Sequence, residues 1–434
     1  MADDGGPSLR LSMAVVVLAG VAFAVVAGLL VPWQWLPGGH VEAVSPDRVF
    51  SAAQIARGEH VSGLLRHAAW ANLVVSVLVA GVLGFTRLGS VLVGRLPGPW
   101  WAKVVLGCFV VSVVGAVAAL PLGWSAQRVE LSEGLSHQAW GSWLADRGLG
   151  LAVTWVFTSV ALLVVVGLAR LTPRTWPLWA AFAAVALAMA GSFVYPVVVE
   201  PLFNHFTPMK AGPLRSDIFA LAESEHVHID DVLVADASRR TTTLNAYVSG
   251  FGSTRRVVVY DTLLTGLPRA QTEMIVAHEL GHAKHQDVLL GTVLGALGSV
   301  LGVGLLGLVL TRRRVLETTA VDGLHDPRVV PLLLGLALIG SLLASPVQNT
   351  ISRAIEARAD RAALRATGDP GTFVEMQKEL ALRSLADPTP PAWSQFWFGS
   401  HPTTLQRIGL AEATGAGTSD AGRGSGPRPA SSRR

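Results

Sequence analysis

The stretch Ala277-His278-Glu279-Leu280-Gly281-His282-Ala283-Lys284-His285-Gln286-Asp287-Val288-Leu289-Leu290 joins a metal-ligand motif directly to a long apolar run. On a helix, residues four apart share a face, so His278 and His282 can present both imidazoles to one point, while Glu279 projects about 100° away. The apolar run then continues from 288 to 310 without Asp, Glu, Lys or Arg. That is long enough for a bilayer, which takes about 20 apolar residues. Reading outward, six more uncharged apolar runs occupy residues 11–31, 68–85, 104–122, 149–169, 178–199 and 330–347. The expected fold is therefore mainly α: a polytopic membrane protein of about seven transmembrane helices, carrying a zincin-like domain with a small β-sheet.

Composition agrees. Of 434 residues, 51% are hydrophobic and only 15% are charged, against about 25% charged in ordinary soluble domains. Trp33, Trp35, Trp100, Trp101, Trp124, Trp176 and Trp179 gather at the ends of the runs, where amphipathic rings sit at headgroup level. The net charge of +4 does not point to nucleic acid, because the arginines flank the apolar runs and so meet lipid headgroups. With Cys108 the sole cysteine, no intrachain disulfide forms and a thiolate metal site is excluded. The first run follows Arg10 and exceeds the 7–15 apolar residues of a signal peptide, so it reads as a retained helix.

The chain divides into five apolar spans over 1–199, a polar segment over 200–287 ending in the motif, two further spans over 288–347, and a polar segment over 348–414. The Gly-, Ser-, Pro- and Arg-rich stretch 415–434 reads as an unstructured tail. Within 200–287 the pattern predicts a helix over 214–225 and short strands over 232–235, 245–249 and 257–260. Gly250 and Gly252 separate the last two strands, which suggests a small antiparallel sheet. Pro268 opens a helix expected to run through Asp287.

A catalytic zinc site takes three protein ligands and leaves one position open. Glu356 is the candidate third ligand. Spans six and seven run antiparallel, so the start of one and the end of the other face the same side. If both extensions stay helical, His282 and Glu356 stand about 9 and 14 Å from the span ends. Asp360, one turn beyond Glu356, can orient a ligand imidazole or pair with Arg358 or Arg361. Glu279 can accept a proton from the attacking water. Asp287 is either an orienting carboxylate or a solvated helix end, and His226, His228 and His285 read as polar surface. Asn245 opens a strand whose edge can pair with an extended peptide, or is a turn asparagine. His401 can donate a hydrogen bond to a developing oxyanion, or simply starts a helix before Pro402. Arg407 makes a structural ion pair or meets a substrate carboxylate.

These pieces, in this order, resemble the CAAX prenyl protease 1 family of integral-membrane zinc endopeptidases. The matching residues are Pro201-Leu202-Phe203-Asn204-His205-Phe206-Thr207-Pro208, Asn245-Ala246-Tyr247, the His278–His282 motif, Ser352-Arg353 with Glu356 and Ala359-Asp360, and His401-Pro402 with Arg407. The resemblance covers about residues 150–410 by motif. It implies that His278, His282 and Glu356 hold one Zn²⁺ per chain, and that Asn245 and His401 face the substrate. The expected catalytic residues are Glu279 and His401, with Asn245 and Arg407 binding substrate and Asp360 behind the metal.

The expected function is a zinc-dependent endopeptidase cutting peptides or membrane proteins beside the bilayer. A quality-control protease of the same chemistry is the alternative within enzymes. A non-catalytic metal-binding receptor or transporter would not need Glu279, and a transporter would carry ionisable groups inside its spans. The composition points to a bacterial cell membrane. The resemblance places the zinc domain in the cytosol. The short loops after spans two, four and six carry Arg87, Arg95, Lys103, Arg170, Arg174, Arg312, Arg313, Arg314 and Arg328, which the positive-inside rule would retain there instead. The expectation leans to a cytoplasmic site on the strength of the resemblance.

Overall fold

The computed structural model describes residues 6–35, 41–250 and 252–423. Its seven long apolar helices are Ser8–Leu30, Ala52–Phe85, Trp100–Ser132, Trp140–Leu171, Trp176–Phe203, Asp287–Leu310 and Pro327–Thr367, here spans one to seven. Each covers one of the expected apolar runs to within a residue, and several run well past it. Span two begins at Ala52, and span seven continues to Thr367, about 30 Å beyond residue 347. Span five contains a π-helical turn over Tyr195–Val199, followed by a last α-helical turn over Glu200–Phe203. Pro196 lies inside that turn and lacks an N–H, so the ordinary ladder cannot continue through it.

Span one packs on span six, six on five, five on four, four on three, three on two, and two on seven. Small residues set the close approaches. A Cβ on Gly304 or Gly307 of span six would overlap Val16 or Ser12 of span one. A Cβ on Gly84 of span two would stand 2.9 Å from the Pro331 carbonyl oxygen of span seven. Leu18, Leu29, Leu78, Val117, Phe182 and Leu343 are exposed along the spans, as hydrocarbon-facing positions require.

Outside the spans lies a four-stranded sheet of β1 (Phe206–Pro208), β2 (Asp231–Ala235), β3 (Ala246–Ser249) and β4 (Arg256–Tyr260), in the order β1-β2-β4-β3. It is mixed, not antiparallel as expected. β3 and β4 form the hairpin, with Tyr247 opposite Val258, while β2 lies parallel to β4 with Leu233 opposite Val258. β4 is central, and its Val257, Val258 and Val259 are buried on both faces. Strand periodicity shows which residues pair with a sheet but not the direction of a neighbour reached through a crossover.

The motif helix, Arg269–Lys284, packs between β3, the helix Pro213–Ser224 and the far end of span seven. Met274, Ile275, Val276, Ala277 and Leu280 join Val232, Val257 and Val259 of the sheet, Ala363 and Leu364 of span seven, and Phe373 and Met376 in one core. The motif helix does not run through Asp287 as expected. It stops at Lys284, Gln286 adopts a left-handed φ of 55°, and span six starts afresh at Asp287. Such a conformation costs a non-glycine residue about 1–2 kcal/mol.

The last helix, Thr404–Arg423, passes beyond residue 415, where the tail was expected to begin. Leu405, Ile408, Leu410 and Ala411 bury its first turns, and propagation past an anchored nucleus is easier than nucleation. Residues 424–434 of that expected tail lie outside the described residues.

Candidate metal centre

Two elements meet at the centre. The motif helix supplies His278 and His282, four residues apart on one face, and the extension of span seven beyond residue 347 supplies Glu356. His278 Nε2 lies 3.2 Å from His282 Nε2 and 3.3 Å from Glu356 Oε2, and His282 Nε2 lies 3.5 Å from Glu356 Oε1. One ligand atom from each of the three falls within 4.8 Å of the others. Tetrahedral zinc with ligands at about 2.0–2.1 Å separates them by about 3.3 Å, so the donor set has the spacing of that ion. Glu356 Oε2 is buried and accepts no well-aligned hydrogen bond among the described residues, although His278 stands close. Three electron-rich atoms facing one point, one of them unsatisfied, fit a cation.

A carboxylate stands behind each imidazole. Asp360 Oδ1 is 2.8 Å from His278 Nδ1, and Asp287 Oδ2 is 2.9 Å from His282 Nδ1. With the Nδ1 positions occupied, both Nε2 atoms are left to face the shared point. Asp360 is fully buried and bound in a fork by Arg407, Nε to Oδ2 at 2.8 Å and Nη2 to Oδ1 at 2.5 Å. Gln377, buried beside them, accepts from the same guanidinium at 3.2 Å once its amide is turned to face it. Asp287 is paired with Arg358.

Glu279 is half-buried on the adjacent face of the motif helix. Burial pushes its carboxyl pKa above the ordinary glutamate value, with the His278 and His282 imidazoles pulling the other way. His401 approaches from the other side, Nε2 3.5 Å from Glu356 Oε2, with its side chain 59% exposed. Ser400 Oγ lies 2.9 Å from His401 Nδ1, and Gln395 Nε2 donates to the His401 carbonyl at 2.6 Å. Asn245 is exposed at the start of β3, the outer strand of the sheet, and its carbonyl accepts the Tyr260 N–H at 3.0 Å. The chain entering it is held by the loop between spans three and four. There the Leu135 carbonyl accepts the Thr242 N–H at 3.1 Å and Ser136 Oγ donates to the Arg240 carbonyl at 2.6 Å.

His278, His282, Glu356, Asp360, Arg407 and His401 thus come together as one constellation. Arg407, expected to bind substrate, has its fork occupied by Asp360. Arg358, a candidate partner for Asp360, is instead taken by Asp287. His226, His228 and His285 are exposed, away from the three-donor cluster. Sequence reasoning left Asp287 ambiguous and did not find Gln377. Asp287 lies five residues past His282, which on an unbroken helix is the wrong face, so only the break at Gln286 reveals it.

Residues 208–414 match peptidase family M48, and residues 42–205 match the CAAX prenyl protease N-terminal family of five membrane helices. The uncharacterized metalloprotease YhfN of Bacillus subtilis (strain 168) is 32% identical over 307 residues, covering 70% of this chain and 72% of YhfN. The CAAX prenyl protease 1 homolog of Oryza sativa subsp. japonica is 32% identical over 238 residues, covering 52% of this chain and 53% of its own length. CAAX prenyl protease 1 of Saccharomyces cerevisiae is 27% identical over 232 residues, covering 50% and 51%. The chain therefore spans about half the length of those two relatives. The crystal structure of S. mikatae Ste24p superposes with a TM-score of 0.76 at 18% identity, covering 93% of this chain and 99% of that one.

Proposed function

We infer function from a chain that belongs to peptidase family M48, a multi-pass membrane metalloprotease with a CAAX prenyl protease type of N-terminal helix array. We propose that it is a zinc-dependent endopeptidase cutting peptide bonds close to the membrane surface. His278, His282 and Glu356 would hold one zinc ion per chain. The supporting observation is the near-tetrahedral spacing of these three donors at 3.2, 3.3 and 3.5 Å.

Bound zinc supplies a Lewis acid for the scissile carbonyl and acidifies the attacking water. Glu279 takes the water's proton and returns it to the leaving amine. A carboxylate whose proton affinity is raised by burial suits that exchange near neutral pH better than an exposed one. His401, exposed to an incoming substrate and 3.5 Å from Glu356, donates a hydrogen bond to the oxyanion as the carbonyl is attacked. The substrate lies extended along the outer edge of β3, where Asn245 meets its backbone. Asp360 and Arg407 hold His278 in place and do not touch substrate.

The substrate class we propose is a peptide or membrane protein presented beside the bilayer, with the metal site on the cytoplasmic side. The decisive measurement pairs zinc content with cleavage of model peptides by the purified, detergent-solubilised chain. About one zinc per chain, with cleavage abolished by a chelator and restored by zinc, is expected. Cleavage indifferent to chelation would overturn the proposal.

A further inference from the structure

We propose that Asp287 and Arg358 form a positioning pair for His282, and that this pair ties the start of span six to the extension of span seven at the edge of the metal site. The proposal rests on the reading of His282 as a zinc ligand and adds a function for two residues outside the ligand set.

The chemistry begins with the imidazole. To offer Nε2 to a metal, His282 must carry its proton on Nδ1, and something must accept that proton's hydrogen bond. Asp287 Oδ2 stands 2.9 Å from Nδ1. Its other oxygen, Oδ1, is bound by Arg358 Nη2. Both partners are largely shielded, with side-chain exposures of 16% for Arg358 and 7% for Asp287. A carboxylate removed from water in this way persists only with its charge compensated.

The backbone is arranged to make this contact. On a continuous helix, a residue five positions beyond His282 would point about 140° away from it. The left-handed Gln286, φ 55°, breaks the motif helix after two residues of turn and swings Asp287 back beneath His282. Non-glycine residues rarely adopt this conformation, and they hold it where surrounding contacts enforce it. Asp287 is also the first residue of span six, while Arg358 lies on span seven two residues beyond Glu356. One ion pair therefore connects the ligand helix, a membrane span and the helix bearing the third ligand.

Two chains of contacts result: His278–Asp360–Arg407 and His282–Asp287–Arg358. Each orienting carboxylate has its own arginine. Neither chain leaves a net charge at the site, so a bound dication meets the charges of Glu356 and Glu279 alone.

The test uses zinc-loaded full-length protein in detergent, following zinc release to excess chelator. Outer carboxylates of this kind change metal affinity by about 10–100-fold. Asp287→Ala should therefore release zinc about 10–100 times faster than the parent. Asp287→Asn keeps an oxygen that accepts from Nδ1–H and has nearly the same shape, so it should recover part of the loss. Arg358→Ala should release zinc faster than the parent, and the double variant with Asp287→Ala should be no worse than Asp287→Ala, because Arg358 acts through Asp287. Cobalt-loaded Asp287→Ala should show a displaced visible absorption band, which a purely structural defect would not cause. Parental release rates in Asp287→Ala, or equal rates in the Asn and Ala variants, would overturn the proposal while leaving the metal site standing. A parent protein with no zinc to release would overturn the metal reading itself.

Discussion

Gly281 of the motif helix lies directly against Ala362 of span seven: a Cβ built on Gly281 would stand 3.0 Å from the Ala362 Cβ and 3.4 Å from the Ala359 Cα. The third position between the two histidines is therefore a contact surface. Glycine there, facing alanines, lets the two helices approach closely enough for Glu356 to reach both imidazoles.

Gly281→Val should force those helices apart. Overpacking of a close contact costs about 1–3 kcal/mol, and the separation moves Glu356 from its place opposite the imidazoles. Lower zinc occupancy together with a lower thermal midpoint is the expected result. Parental occupancy and stability would mean that the helix spacing is set elsewhere.

Glu279→Gln should retain zinc and fold normally while cleavage falls by about 10²–10⁴-fold in single-turnover assays, the ordinary worth of a general base. Glutamine matches the shape but cannot accept and return a proton. A receptor or transporter would tolerate this change. Parental cleavage with zinc retained would remove Glu279 from the role assigned to it.

Glu356→Ala should weaken zinc binding at least as strongly as loss of an outer carboxylate does, by about 10–100-fold or more. Elemental analysis after dialysis against a weak chelator reads this directly. Unchanged occupancy would mean that another side chain completes the ligand set.

Arg407→Ala distinguishes a positioning role from a substrate contact. Removing one member of a buried ion pair costs about 3–5 kcal/mol, and Asp360, fully buried, has no exposed surface to fall back on. A lower thermal midpoint and weaker zinc binding are expected together. A rise in KM alone, with stability and zinc unchanged, would show that Arg407 serves the substrate.

Metal-free protein should take up zinc more tightly as pH rises. Burial works against a charged His278, but the Asp360 and Glu356 carboxylates facing its two ring nitrogens outweigh it and push the imidazole pKa up to about 10. Zinc must displace that proton, so apparent affinity should rise about tenfold per pH unit below the raised pKa and level off above it. Calorimetry in buffers of different ionisation enthalpy should detect about one proton released per zinc near neutral pH. Affinity independent of pH, without proton release, would contradict this.

Much of the molecule is legible in local pattern. Each of the seven uncharged apolar runs lies in one long helix because a bilayer-spanning segment must satisfy its backbone internally, and that demand is written in consecutive residues. The pair His278 and His282 is equally local, since a four-residue spacing places two side chains on one helix face wherever the helix goes. Glu356 was reachable from the antiparallel run of spans six and seven, an argument about heights and not about contacts.

What tertiary structure alone decided involves residues whose partners are distant in sequence. Sheet direction is one case: β2 and β4 look alike as strands, and only the crossover between them makes the pair parallel. Arg407 is another, since nothing near it in sequence indicates that Asp360, 47 residues earlier, occupies its fork. Asp287 is the clearest case. Helical periodicity turns it away from His282, and the left-handed Gln286 turns it back. The sequence by itself determined which residues are apolar enough to cross a membrane and which two imidazoles share a face, because both follow from the geometry of a single helix. The carboxylates and arginines around those imidazoles were decided by packing between helices, where a charge buried on one element must be met by a partner from another.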